Sequence, residues 1–495
     1  MEIRPPHMRL VVNRETSRLE IKGVYLITDQ RDDLVERVEA ALTGGVKFVQ
    51  YRFKGDDGER KYADGFALRH LCARYGATFI VNDDPELARI LDADGLHLGQ
   101  DDGSPAEARQ MLGPGKIIGI STHNLEEAVR AEREGADYIG FGAMYATTSK
   151  EVRHLPGPDA VAAIRKNITI PVVAIGGITA ANACRVIDAG ADAVAVMAGI
   201  LSATAPDIAA AELSLLFNRH SPLPRGTVLT VAGSDSGGGA GIQADLKTIT
   251  LLGSYGASVI TALTAQNTRG VTAIFGVPLS MVEDQMDAVL SDLPVDVVKT
   301  GMLFSAEIIE SVAMKIREYR RKIIVVDPVM IAKGGAPLMD RDAVNALRDL
   351  LLPATYLLTP NVPEAERLTG ITISGEEEME EAARKLHGMG ARNVLIKGGH
   401  LPEGESVDLL YDGSAFNRYP VPRILTKNTH GTGCTLASAV ASFLAQGLPL
   451  PAAVARSKQF ITSAIRLARP LGRGHGPVNH YLAAREIIPG DTEKG

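Results

Sequence analysis

Residues 219–253, RHSPLPRGTVLTVAGSDSGGGAGIQADLKTITLLG, decide how the chain is divided. The segment 220–226 holds two prolines and a glycine, and residues that fix φ or lack an N–H donor bar regular structure there. It is expected to be a linker. Directly after it, a β-branched run over 227–232 predicts a strand, which meets the glycine-rich SDSGGGAG and then IQADLKTITLLG, whose apolar residues recur at helical spacing. One folded unit ends before this stretch and another begins inside it. A length of 495 residues supports that division, since α/β units of up to ~250 residues are common.

Upstream, short β-branched runs alternate with amphipathic stretches such as SPAEARQML and NLEEAVRAEREG. The runs fall at 24–29, 48–53, 78–83, 95–99, 116–121, 138–145, 171–177 and 193–197. Eight strands separated by helices predict a (β/α)8 TIM barrel over 21–219, preceded by a polar tail at 1–20. Downstream of 227, further strands are expected at ASVITALTAQ, VDVVKTGML, KIIVVDPVM, TYLLTPN and NVLIKGG, with VDLLYDG and FNRYPVPR as a small antiparallel pair. That pattern predicts an open, doubly wound α/β sheet over 227–484, with 485–495 as a C-terminal tail.

Composition narrows the function. Hydrophobic residues are 45% and charged residues 22%, which fits a globular chain and not a disordered one. The formal net charge of −7 is spread without long runs of one sign, so no nucleic-acid or membrane surface is indicated and small-molecule partners are favoured. Three distant cysteines, Cys72, Cys184 and Cys434, fit neither a disulfide framework nor a paired-thiol zinc site. No run reaches the ~18 apolar residues of a membrane span, and the opening MEIRPPHMRL lacks a signal peptide's apolar core. A cytoplasmic location is expected.

In a barrel of this kind, chemistry belongs at the C-terminal strand ends, and polar residues collect there. Arg52 and Lys54 are spaced to point the same way and grip a polyanion. Asp83 and Asp102 offer the hard oxygen ligands that Mg²⁺ prefers. Lys150 could add a second positive charge, and the N–H groups of Gly176 and Gly177 a further phosphate site. In the second half, HGTGCT (430–435) predicts backbone N–H groups at a helix N-terminus, ready for an anion. The same dipole is expected to lower the Cys434 thiol and make it a base. Asp327, Asn361, Glu364 and Lys397 add the carboxylates and cations that phosphoryl transfer requires.

The motifs QYRFK (50–54), VNDD (81–84), GLHLGQDD (95–102), TTSK (147–150) and AIGGI (174–178) resemble the thiamine-phosphate synthase family over about residues 22–203. The resemblance implies that Gln50, Arg52, Lys54 and Asn82 hold the pyrophosphate of hydroxymethylpyrimidine diphosphate and that Asp83 and Asp102 hold its Mg²⁺. It places His97 and Ser121 at the pyrimidine, Thr147, Ser149 and Lys150 at the diphosphate, and Gly177 at the thiazole phosphate. VMAGI (196–200) departs from the family, with Ala198 where a serine is frequent.

AGSDSGGGAGIQADLKT, TALTAQNT, TPNVPEAERL and HGTGCT resemble hydroxymethylpyrimidine/phosphomethylpyrimidine kinase, of the ribokinase-like superfamily, over about 227–480. This implies a pyrimidine pocket of Gly233, Asp245, Gln266, Met302 and Val329, with Asp327 and Glu364 serving Mg²⁺ and the ATP phosphates. Asn361 and Lys397 would bind nucleotide, while Gly431, Gly433 and Cys434 would form an anion hole with Cys434 catalytic. Such kinases commonly dimerise, so a homodimer through this half is expected. Two rival readings are a barrel that has become a thiazole tautomerase or sensor, and a kinase acting mainly on pyridoxine.

Overall fold

The computed structural model describes residues 21–147, 155–331, 338–400 and 405–488. Both tails at their far ends, and the expected diphosphate contacts Ser149 and Lys150, lie outside the described residues. The chain divides into two compact units, one up to Leu213 and one from Ser214.

In the first unit, eight parallel strands close into a barrel in sequence order. They are β1 (Gly23–Ile27), β2 (Phe48–Tyr51), β3 (Thr78–Asn82), β4 (Gly95–Leu98), β5 (Ile117–Thr122), β6 (Tyr138–Gly142), β7 (Val172–Ile175) and β8 (Ala193–Val196). Each expected run carries one strand, and β8 returns to pair with β1 through Tyr25 and Ala195. Strands covered on both faces tolerate continuous apolar sequence, which is why these runs read as β-branched blocks. The barrel interior packs Tyr25, Ile27, Phe48, Ile80, Tyr138 and Val173 together. Gly119 is necessary in β5 because a Cβ there would collide with the Tyr138 ring. The helices start on side-chain caps: Asp84 accepts from Leu87 N–H, and Ser104 and Glu107 form a reciprocal capping box.

The second unit is a nine-stranded sheet. Its strands are β9 (Thr227–Asp235), β10 (Tyr255–Asn267), β11 (Gly270–Gly276), β12 (Val297–Thr300), β13 (Ile324–Val326), β14 (Leu357–Leu358), β15 (Asn393–Ile396), β16 (Ser406–Tyr411) and β17 (Phe416–Val421). The order is β11-β10-β9-β12-β13-β14-β15-β16-β17. The six strands from β10 to β15 in that order are parallel, and the expected β16–β17 pair joins at β15 as an antiparallel extension. The sequence reading missed β11, which returns antiparallel on β10 through a two-residue turn after Asn267. Its residues are largely exposed, so no buried pattern announced it.

Alternation along β9 and β12 splits the unit into layers. Leu229, Val231 and Val298 enter a large core with Val282, Ile309 and Val312 from helices on one face. Thr230 and Lys299 point to the other face, where they meet the helices Gly241–Leu251 and Thr432–Ala445 through Asp245 and Ser438. Because β10 and β12 flank β9 on opposite sides, a crevice opens at the C-terminal ends of these strands.

Candidate active sites

At the barrel mouth three of the expected charges, Lys54, Asp83 and Asp102, converge. β2 ends at Tyr51, so Arg52 to Lys54 form the loop after the strand instead of part of it. The Arg52 N–H donates to Thr28 Oγ1 at 2.9 Å. Lys54 Nζ donates to Asp83 Oδ2 at 2.7 Å, and the Asp83 carboxyl is within hydrogen-bonding reach of Asp102 and Asn82. Burial works to raise Asp83, but the bonds from Lys54, Asp102 and Asn82 outweigh it and hold the group below the usual carboxylate range. Asp102 moves the other way, lifted by burial and by the neighbouring Asp83 charge, although the Gly99 N–H opposes this. Two carboxyls from different strand ends pushed apart in this way are a donor set suited to Mg²⁺.

Gly176 and Gly177 follow β7 with φ of 100° and 63°, turning the backbone back against the Tyr145–Ala146 loop. Asn182 fixes this turn by donating to Gly177 O at 2.9 Å and accepting from Thr179 N–H. Ala198 opens the short helix Ala198–Leu201 after β8, and Thr147 is the last described residue of its loop.

Gln50 is placed differently from the diphosphate role expected for it. It is buried inside the barrel, where Nε2 donates to Tyr25 Oη at 3.1 Å. From there Tyr25 Oη lies 2.7 Å from Tyr138 Oη, which lies 2.9 Å from His97 Nδ1. His97 Nε2 lies 3.0 Å from Ser121 Oγ. His97 and Ser121 thus stand together as expected, while the tyrosines behind them went unremarked in the sequence because they look like ordinary strand apolar residues.

In the second unit a cavity of about 790 Å³ opens over the C-terminal strand ends. Gly233, Gln266, Met302 and Val329 line one part of it, and Asn361, Glu364, Lys397 and Asp327 another. Gly431, Gly433 and Cys434 lie between them at the start of the helix Thr432–Ala445. Gly431 has φ 80° and no room for a side chain, because a Cβ there would strike Gly239 O. The two glycine-rich segments are therefore packed on each other. Asp235 winds the first of them, accepting N–H bonds from Gly237 at 2.8 Å, Gly239 at 3.0 Å and Ala240 at 2.8 Å. Its Oδ2 also lies 2.9 Å from His430 Nε2. Asp235 and His430 lie in the two glycine-rich segments, and their pairing is a tertiary contact that residue spacing does not announce.

Lys397 Nζ donates to Asp327 Oδ1 at 2.8 Å and stands 4.0 Å from Glu364 Oε2. A Cβ on Gly433 would come within 3.3 Å of Asp327 Oδ2 and 3.4 Å of Lys397 Nζ, so this pair faces the helix N-terminus directly. Glu364 caps its own helix reciprocally with Asn361. Burial lifts its carboxyl to about 7, with the Asp327 charge adding to the shift and Lys397 opposing it.

Two expectations need correction. Asp245 does not line the cavity: it is fully buried beneath it, with Lys299 Nζ at 2.7 and 2.9 Å, Thr230 Oγ1 at 2.6 Å and Ser438 Oγ at 2.8 Å. The Cys434 thiol is not lowered by the helix end. Removal from bulk water pushes it up to about 12, outweighing the Lys299 charge and the Gly241 N–H that favour the thiolate. The sequence also gave no sign of the buried Lys458–Asp408 pair, 2.8 Å apart at the cavity wall, because it joins a helix to an antiparallel strand far away in sequence.

Comparison with known proteins matches both units. Residues 24–200 fit the family model of thiamine monophosphate synthase, and residues 235–479 that of phosphomethylpyrimidine kinase. A thiamine biosynthesis bifunctional protein, ThiED, of Geobacter sulfurreducens is 65% identical over 97% of this chain and 98% of its own. The hydroxymethylpyrimidine/phosphomethylpyrimidine kinase of Bacillus subtilis is 51% identical over 52% of this chain and 96% of its own. A solved structure of Bacillus subtilis pyridoxal kinase with ADP is 39% identical, covers 52% of this chain and 97% of that one, and has a TM-score of 0.49.

Proposed function

The chain belongs to the family of bifunctional thiamine biosynthesis proteins, and on that premise we propose how its two sites divide the work. It is a bifunctional transferase: the second unit is a hydroxymethylpyrimidine/phosphomethylpyrimidine kinase using ATP, and the first a thiamine-phosphate synthase. The kinase makes the pyrimidine phosphate and then its diphosphate. The synthase joins that diphosphate to thiazole phosphate, giving thiamine phosphate and pyrophosphate.

The observation that carries the kinase assignment is the helix start Gly431–Cys434, packed directly against Lys397 and Asp327 in the cavity wall. Its N–H groups and the Lys397 cation receive charge on the transferred phosphoryl group. Gln266, Met302 and Val329 hold the pyrimidine, with its hydroxymethyl group directed at Cys434. The hydroxyl oxygen bonds to the γ-phosphorus as the bond to the ADP oxygen breaks, and the hydroxyl proton passes to an oxygen of the transferred group. A thiol held near 12 is protonated at neutral pH, so Cys434 acts by hydrogen-bonding the reacting oxygen and not as a preformed thiolate. Asp327 and Glu364 are suited by their paired carboxylates to hold Mg²⁺, which neutralises phosphate charge when bound.

In the barrel, Arg52 and Lys54, with Thr147, Ser149 and Lys150, grip the diphosphate, and Asp83 and Asp102 hold its Mg²⁺. The bond from the pyrimidine methylene carbon to the pyrophosphate oxygen breaks, and the thiazole nitrogen then bonds to that carbon. This chemistry needs charge neutralisation and alignment more than acid or base help. Gly177 holds the thiazole phosphate, with Ala198 contributing only backbone where a hydroxyl is frequent.

No helix among the described residues is long and apolar enough to cross a membrane, and no disulfide joins the described cysteines. We place the enzyme in the cytoplasm, as a homodimer through the kinase unit. The β10–β11 hairpin supports the dimer, since Leu263 and Phe275 face each other across it and are 46% and 64% exposed. Assaying each half-reaction separately tests the division of labour. Supplied diphosphate should yield thiamine phosphate without ATP, and hydroxymethylpyrimidine with ATP should yield diphosphate without thiazole phosphate; failure of either overturns that half.

A further inference from the structure

The barrel interior carries a line of hydrogen-bonding groups which, as the structure places them, runs in one direction. Its members are Gln50, Tyr25, Tyr138, His97 and Ser121, linked at 3.1, 2.7, 2.9 and 3.0 Å. Gln50 places its amide nitrogen on Tyr25, so this end of the line is a donor, and the same side chain also reaches Tyr138. Tyr25 accepts that bond, and the acceptor within reach of its own proton is Tyr138 Oη. Tyr138 must then give its proton to His97 Nδ1. His97 consequently carries its proton on Nε2 and donates it to Ser121 Oγ. The Ser121 hydroxyl proton is left over, pointing out of the line.

Running the line backwards would leave a buried hydroxyl proton on Tyr25 with no acceptor, which is costly. A doubly protonated His97 fails for the same reason, because two hydroxyl protons would compete for the single link between the tyrosines. Burial pushes both tyrosines well above their ordinary ionisation range, so neither reverses the line by losing its proton. The ring geometry is also held firmly. Gly140 leaves only 3.0 Å between a hypothetical Cβ and His97 Cε1, and Tyr25 is stacked on Phe48 at 5.9 Å.

We propose that this one-way line makes Tyr25 and Tyr138 positioning residues of the synthase, fixing Ser121 as a hydrogen-bond donor to a lone-pair nitrogen of the pyrimidine ring. The inference rests on the reading of the barrel as the pyrimidine site, but its structural half is independent of any substrate. Specificity follows from the polarity: a ring that presents an N–H to Ser121 in place of a bare nitrogen meets donor against donor.

The test is a long-range proton–nitrogen correlation spectrum of the full chain labelled with ¹⁵N-histidine, with His97 assigned by its loss in His97→Gln. The unliganded enzyme should show His97 protonated at Nε2 and bare at Nδ1. Gln50→Glu replaces that donor by an acceptor and should reverse the line, moving the proton to Nδ1. Should that variant fail to fold, Tyr138→Phe removes the middle link and should give a mixture of tautomers. A wild-type ring protonated at Nδ1 overturns the proposal, as does a tautomer unmoved in a folded Gln50→Glu or Tyr138→Phe chain. With the polarity confirmed, a rise of at least tenfold in KM for the pyrimidine diphosphate in Tyr138→Phe, with kcat changed less, is expected. Confirmed polarity with unchanged KM would sink the pyrimidine contact alone, and absent synthase activity in the wild type would sink the reading of the barrel instead.

Discussion

At the scale of single residues, environment decides what each candidate can do. The place of Cys434 at a helix start was legible from HGTGCT, but its protonation was not, since a helix end favours thiolate while the enclosing walls disfavour it more. Cys434→Ser should therefore keep a measurable part of kinase activity, because a hydroxyl can also hydrogen-bond the reacting oxygen, whereas Cys434→Ala should lose about 10²–10³-fold in kcat. Equal losses in steady-state assays would contradict this role. Glu364 offers a pH test. Its carboxyl is ordinary near 4.5 when unfolded and held near 7 when folded, so the folded chain binds a proton more tightly. Its contribution is present below about 4.5 and is lost as pH rises through 7, amounting to about 3 kcal/mol. Glu364→Gln keeps the cap and removes the titration, so its Tm relative to wild type should rise by several degrees between pH 5 and pH 8. A difference that stays flat across that range would contradict the shift. Asp245 carries the opposite lesson: its motif was visible, but its role beneath the site depends on Lys299 and Ser438, which only folding brings together.

At the scale of elements, the barrel strands were legible because each is buried on both faces and so reads as a block of β-branched residues. The edge strand β11 was not, since an exposed strand at a sheet margin has no reason to show such a block. That margin carries a prediction: Phe275→Asp should shift the chain from dimer to monomer in sedimentation, and a wild type that sediments as a monomer would remove the hairpin's assigned partner. The glycine contact between the two motifs carries another. Gly431→Ala has to force a Cβ into Gly239 O at a left-handed position, so it should lower stability by at least about 1–2 kcal/mol and abolish phosphoryl transfer. Loss of transfer without loss of stability in a thermal melt would mean the helix start is not braced in this way. The charges of the barrel mouth were legible because they end different strands of one face, whereas the Lys54–Asp83 bond was not, since it closes between loops.

For the whole molecule, two sites on one chain perform consecutive reactions, and the diphosphate is expected to pass between them through bulk solvent. Asp83→Asn should remove synthase activity by at least about 100-fold and spare the kinase, while Cys434→Ala does the reverse. An equimolar mixture of the two variants should restore thiamine phosphate at a substantial fraction of the wild-type rate; a mixture that stays inactive while each spared half-reaction is intact would show that the intermediate does not leave its own chain. The most direct test of the central claim is a single reaction of the purified wild-type chain with hydroxymethylpyrimidine, thiazole phosphate, ATP and Mg²⁺, followed by mass. Thiamine phosphate should appear after transient pyrimidine mono- and diphosphate, with pyrophosphate released in equal amount. Diphosphate that accumulates with no thiamine phosphate would contradict the account, leaving a working kinase joined to a barrel that is no synthase.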